Sequence, residues 1–288
     1  MIDVLADNYA SVHHRSFMQT RYEDQGAFSP VSPRDWAFDV LGEWRPQLPA
    51  TPMTRAALRS FCTSGADVLD CYLAVMAWGR QDAARAGRVR ALNTWRRNQV
   101  AIHQHLEILR RERLNRAEAF SLFCAHGRIP GLGVAFFTKL LYFFAPPSPA
   151  GADRYILDQW TAKSLNLLAG EPVIHMCRSG TVTRRNTSEI YEAYCTEVEA
   201  LTVLLNEYHV DAPLRAEDVE LMLFSSGGRG KPQRPWRQHV LANWGKDATR
   251  RFSRRLTTDR ALGLRTLMNA MLHDSQIDRH ICLSAKSS

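Results

Sequence analysis

The stretch from Asn115 to Phe144 constrains the fold more than any other. Two apolar helical patterns, NRAEAFSLFCAHGR and VAFFTKLLYFF, are separated only by Ile129-Pro130-Gly131-Leu132-Gly133. A proline and two glycines so close together cannot continue a helix, and glycine lets the backbone turn sharply and lie close to a partner. The pattern therefore predicts helix, tight turn, helix, with Pro146-Pro147 as the stop. The second helix begins near Val134 with unpaired amide N–H groups and the positive end of its dipole, which suits a phosphate. Turns of this kind also join helices for structural reasons alone, so both readings stay open.

The rest of the chain reads as helix on either side of this unit. Residues 1–55 are rich in proline, tryptophan and turn residues (FSPVSPRDW, WRPQLPATP) and predict an irregular wrap with short elements. Thr54 to about Arg80 predicts a helix broken near Ser64-Gly65 and ended by Gly79. In residues 88–112 the apolar positions Leu92, Trp95, Val100, Ile102, Leu106 and Leu109 follow helical spacing, and the remaining face is basic. Ile156-Leu157-Asp158 leads into another helix, QWTAKSLNLLAG. Residues 188–209 predict an amphipathic helix opened by Ser188, and residues 211–224 one more. The basic loop SSGGRGKPQRPWR follows, with helical segments again near 248–273. The expected fold is mainly α, with few strands and no internal repeat. The expected division is an irregular segment 1–55, a helical core 56–245 containing the hairpin 115–145, and a basic helical segment 246–288.

Length allows one large domain or two small ones with a real core. The net charge of +8 is unevenly spread. Arg229 to Arg265 carries a local +9 and Arg80 to Arg116 a local +7, so the remainder is acidic. Two basic regions on an acidic body suggest a polyanion-binding face, although solvated arginine-rich helices give the same composition. The six cysteines include no C-x-x-C pair, which argues against zinc or an iron–sulfur cluster and fits free thiols in a reducing cytoplasm. His103 and His105 face different ways on a helix, and no metal or cofactor is expected. No apolar run is long enough to span a membrane, and MIDVLADNYASVHH lacks the design of a secretion signal, so a cytoplasmic location is expected.

IPGLG before an apolar helix, with ILD at the start of the next helix, resembles the helix-hairpin-helix DNA glycosylases. The resemblance is closest to bacterial proteins with an 8-oxoguanine DNA glycosylase fold. It covers residues 115–170, with a fainter echo in AEDVELMLFSSGGRG (216–230). It implies a mainly α, helix-hairpin-helix glycosylase-like architecture in which the hairpin holds the DNA backbone and a downstream aspartate drives base excision. Bifunctional members add a lysine that attacks the sugar.

Carried onto this chain, Asp158 takes the aspartate position. Breaking an N-glycosidic bond builds positive charge on the sugar, which a fixed carboxylate stabilises. Asp158 also suits the N-cap of the helix beginning at Gln159, and the two roles are compatible. Lys139 lies nineteen residues before Asp158, close to the family's lysine–aspartate separation. Counted from the hairpin, however, the lysine position holds Ala135, and Lys139 is one helical turn further along the same face. Lys139 is therefore either a nucleophile activated by an apolar setting or a lysine that snorkels to solvent or touches a phosphate. The resemblance implies DNA contacts at Gly131, Gly133, Val134 and Arg128. The flexible loop offers Arg229, Lys231 and Arg234 for phosphate contact, or is simply solvated. One of the tryptophans can stack on an extruded base.

The expected function is excision of a modified or damaged base from double-stranded DNA, in base excision repair or anti-phage defence, with associated lyase activity if Lys139 is the nucleophile. The alternative is a non-catalytic helix-hairpin-helix DNA-binding protein of a defence or repair complex. A helical interaction protein whose PGLG is only a turn is a third reading. The base recognised and the oligomeric state have no readable motif.

Overall fold

Side-chain caps set the helix boundaries. In the computed structural model the described residues are 12–20, 31–79, 85–124, 128–145, 153–170, 172–177, 179–207, 212–225 and 234–251. A short helix α1 spans 12–18. Helix α2 (Pro33–Leu41) starts at Ser32, whose hydroxyl accepts from the Asp35 N–H at 3.1 Å, with Pro33 in the first turn and Gly42 left-handed at its end. This regular helix lies inside the expected irregular wrap. Thr54 caps α3 (Arg55–Thr63), and Asp67 caps α4 (Val68–Trp78), accepting from the N–H groups of Leu69 and Asp70. Ser64-Gly65 does break the predicted long helix between them, and Gly79 does end it.

Helix α5 (Arg85–Arg111) is the long basic helix. Asn115 and Glu118 cap α6 (Arg116–Cys124) reciprocally, each side chain accepting the other's N–H at 2.8 Å. Helix α7 (Val134–Phe144) and helix α8 (Gln159–Ala169) match the sequence pattern. Helix α9 (Ser188–Asn206) begins at the expected residue and ends three residues short of 209, and its cap is Thr187, whose hydroxyl accepts from the Ile190 N–H. Helix α10 (Ala216–Phe224) starts later than residue 211. Pro213 has no N–H, and the Asn206 amide pairs with both backbone groups of Leu214, which keeps the chain extended there. Helix α11 (Pro235–Arg251) runs across residue 246. Among the described residues the protein is eleven helices with one isolated antiparallel bridge, Met176 to Val182.

Helix α4 lies at the centre. Val68, Cys71 and all positions from Tyr72 to Ala77 are buried, and the helix packs on α2, α3, α5 and α7. Each large aliphatic side chain buried in this way contributes about 1.5–3 kcal/mol. A second group forms from α6, α8, α9, α10 and α11, with α9 against α6 and α10, and α8 against α10 and α11. Helix α7 touches α3, α4, α5 and α6, so it sits where the two groups meet. Polar pairs cross this seam to α10. Arg55 of α3 hydrogen-bonds to Glu220, Arg59 lies 3.4 Å from Glu217, and the Tyr142 hydroxyl of α7 donates to Glu217 at 2.6 Å.

Candidate active site

Asp158 ends an extended, buried segment that makes no sheet. Side chains instead engage several backbone groups of 153–157. The Asp153 carbonyl accepts from Arg116 Nε at 2.6 Å, the Tyr155 carbonyl from the Tyr191 hydroxyl at 2.9 Å, and the Ile156 carbonyl from the Tyr194 hydroxyl at 2.7 Å. The Leu157 N–H donates to Thr138 Oγ1 at 3.1 Å, which ties the segment to α7. At its end, Asp158 Oδ1 accepts from the N–H groups of Trp160 (2.7 Å) and Thr161 (3.1 Å), and Thr161 Oγ1 accepts from the Asp158 N–H (2.9 Å). The capping box thus engages one carboxylate oxygen and fixes the other. Oδ2 has no hydrogen-bond partner among the described residues, although the side chain is almost wholly buried.

Lys139 is buried on α7 at 8% exposure. Its stem passes the end of α4, where a Cβ added to Gly79 would lie 3.1 Å from Cδ and 3.3 Å from Cε. Its Nζ donates to the Ala135 carbonyl at 2.7 Å and lies 5.4 Å from the centroid of the Phe136 ring. Burial lowers its pKa. Asp158 and Glu220 oppose the shift, and Arg55 adds to it. Lys139 and Asp158 are therefore parts of one electrostatic cluster at the seam.

Sequence reasoning missed the other members. Glu220 is 2% exposed, pairs with Arg55, and has its pKa pushed up to about 7 by burial, against the pull of Arg55. Arg237 stacks on Trp160, with Cζ 3.6 Å from the ring centroid, and Lys163 Nζ lies 4.3 Å from the same ring. Burial lowers the pKa of Arg237 to about 10, and the neighbouring Asp158 resists that fall. Trp160, two residues after Asp158 and half-buried, is the tryptophan that lies at the site.

The turn between α6 and α7 lies on α5. Gly131 has φ +87°, and a Cβ there would come within 2.1 Å of Thr94 Oγ1, so conformation and space both require glycine. Asn98 of α5 donates to the Pro130 carbonyl at 3.3 Å, and Arg184 donates to the Leu132 carbonyl at 3.1 Å. Gly133 caps α7 without a side-chain hydrogen bond, and a Cβ there would meet nothing within 4 Å. The first amides of α7 thus carry no side-chain cap, with open space beside Gly133. Val134 itself is buried, and Arg128 is exposed. Arg184 lies close enough for Arg128 to lower its pKa, after the larger effect of burial. Arg234 stands at the start of α11, its carbonyl accepting from Gln238, away from the turn in sequence. Arg229 and Lys231 lie outside the described residues.

A family model described as "Putative 8-oxoguanine DNA glycosylase OGG-like protein" matches residues 23–224. The chain belongs to that family. The family match contains the turn, Lys139, Asp158, Arg55 and Glu220, whereas Arg237 and the basic loop fall after it. Comparison with curated proteins and with solved structures gave no match. That description implies a DNA substrate, in agreement with the basic composition. Among the described residues no helix is long and apolar enough to cross a membrane, and no group of three or more metal-binding side chains occurs.

Proposed function

We propose that the protein is a DNA glycosylase that cleaves the N-glycosidic bond of a modified or damaged base extruded from double-stranded DNA. One observation carries the reading: the Leu157 N–H donates to Thr138 Oγ1 at 3.1 Å, so that Asp158 and Lys139, each the next residue along, come from adjoining buried elements within the family-matched residues. The Asp158 carboxylate is held by its own capping box, with Oδ2 left to face a sugar as positive charge develops there. No reorganisation is then needed during reaction. The helix-hairpin-helix turn contributes the uncapped end of α7 at Gly133 and Val134 to a DNA phosphate, with Gly131 shaping the turn and Arg128 beside it. Extrusion is required because the glycosidic bond is out of reach in a stacked duplex.

Lys139 adds lyase chemistry. A lysine is a nucleophile only when neutral, and burial favours that form. Its amine attacks C1′ of the sugar as the base leaves, giving an imine that borohydride reduces to a stable adduct. The biological setting is base excision repair or defence against phages with modified DNA, and an assay with both kinds of substrate separates these. Base release is measured as abasic sites in oligonucleotides carrying damaged bases and in modified phage DNA. Release by wild type and not by Asp158→Asn supports the enzyme. Salt-sensitive DNA binding with no release from any substrate instead makes the protein a non-catalytic DNA-binding member of a repair or defence complex.

A further inference from the structure

Arg237 is the third residue of α11, and the start of that helix is firmly seated. Its neighbour Trp236 is buried and donates Nε1–H to Ser164 Oγ at 3.0 Å, and Ser164 in turn donates to the Leu223 carbonyl at 2.7 Å. These contacts place Arg237 over the gap between the start of α8 and the end of α10. Its guanidinium carbon lies 3.6 Å from the centroid of Trp160 and 5.2 Å from that of Phe224. Nη2 donates to the Phe224 carbonyl, which as the last of its helix has no helical donor.

This arrangement uses little of what a guanidinium offers. It has five N–H donors in one plane, and stacking on an aromatic face leaves that plane's edge presented outward. Among the described residues, Nε and Nη1 have no hydrogen-bond partner and no carboxylate lies within ion-pair distance. Arg237 is only half-buried, so part of its side chain is open to solvent. A cation partly withdrawn from water without a carboxylate costs free energy that a ligand with paired acceptors recovers. Its ring partner Trp160 in turn donates its backbone N–H to Asp158 Oδ1 at 2.7 Å, which brings the group to the start of α8.

On the glycosylase reading above, we infer that Arg237 grips the nucleotide on which Asp158 acts: its in-plane N–H edge, backed by Trp160 and tethered to the Phe224 carbonyl, donates to a pair of acceptor atoms on that nucleotide. Two sources present such a pair, the non-bridging oxygens of a flanking phosphate and the edge of the extruded base. The residue lies beyond the family-matched segment, on α11.

The test compares wild type with Arg237→Met, which keeps the stem on Trp160 and removes every donor, and with Arg237→Lys. Binding is measured by fluorescence anisotropy over a salt series with three duplexes: unmodified, carrying 8-oxoguanine, and carrying a tetrahydrofuran abasic analogue. If the acceptors belong to a phosphate, Arg237→Met weakens binding of the abasic duplex about tenfold, lowers the log–log salt slope by about one, and is partly rescued by lysine. If they belong to the base, the loss is confined to the 8-oxoguanine duplex, the slope is unchanged, and lysine fails for lack of a fork. Either result supports the assignment. Variants that bind all three duplexes as wild type does, with only a lower melting temperature, would show Arg237 to be a strap between helices. A wild-type protein that binds none of the duplexes would overturn the glycosylase reading, and the role of Arg237 with it.

Discussion

The ammonium of Lys139 reaches back one helical turn to donate to the carbonyl of Ala135 at 2.7 Å. Side chains on a helix lean towards its N-terminus, so a lysine placed a turn late still delivers its charge a turn earlier. Ala135 is the position where the hairpin count places the glycosylase lysine, so the Lys139 ammonium lies against the backbone of that position.

Burial makes Lys139 a stability liability that depends on pH. Its folded pKa lies below the ordinary lysine value, so between the two the unfolded chain binds more protons than the folded one. Stability therefore rises with pH through that window and is lowest below it. Lys139→Met should melt at a higher temperature than wild type near neutral pH, and the gap should shrink as pH approaches the unfolded lysine value. Calorimetry of the two proteins across alkaline pH checks this. A gap independent of pH would mean the amine is not desolvated.

Gly79 leaves room for the Lys139 stem. Its φ of −74° suits any residue, so the reason for glycine is the 3.1 Å approach of Lys139 Cδ to the place of a Cβ. Gly79→Ala should change stability by no more than about 1 kcal/mol. It should nevertheless displace the amine and lower borohydride trapping on abasic DNA at least tenfold. Trapping at the wild-type rate would show that the stem yields freely.

The two hairpin glycines should behave oppositely. Gly131→Ala meets Thr94 and a left-handed backbone together, and should cost at least about 2 kcal/mol in chemical denaturation. Gly133→Ala meets nothing within 4 Å at an ordinary φ of −84°, so it should fold as wild type does. Its methyl group projects where a phosphate would approach α7, and DNA affinity should fall several-fold. Unchanged affinity would place the DNA elsewhere.

The Arg55–Glu220 pair should be costly to break and cheap to replace. Glu220→Leu leaves a buried guanidinium without its carboxylate and should destabilise by about 3–5 kcal/mol. The double variant Arg55→Met, Glu220→Leu should recover most of that loss in a denaturation cycle. A double-variant loss equal to the sum of the two single-variant losses would show that the pair is not coupled.

Much of the helical frame could be read from local chemistry. Gly79, Asn115, Gly133 and Asp158 end or begin helices because of what each residue does to its own backbone, so a single stretch of sequence reveals them. The candidate site was legible only in part, for the same reason. Glu220 sits in AEDVELML, where it reads as one acid among three on a short helix. Its burial is decided by Arg55, 165 residues away. Arg237 follows a loop that reads as flexible and basic, and nothing local shows that Trp160 waits for its guanidinium. Helix α10 opens later than its local pattern predicts because Asn206, in the helix before, keeps Leu214 extended.

The central claim is that Asp158 excises a base, and base release by Asp158→Asn tests it most directly. Asparagine caps a helix as well as aspartate does, so the variant keeps the start of α8 and loses only the charge. On any substrate from which wild type releases a base, the account predicts a cooperatively folded Asp158→Asn protein and release slowed by about 10²–10³-fold or more. Release at the wild-type rate by a folded Asp158→Asn protein would contradict it.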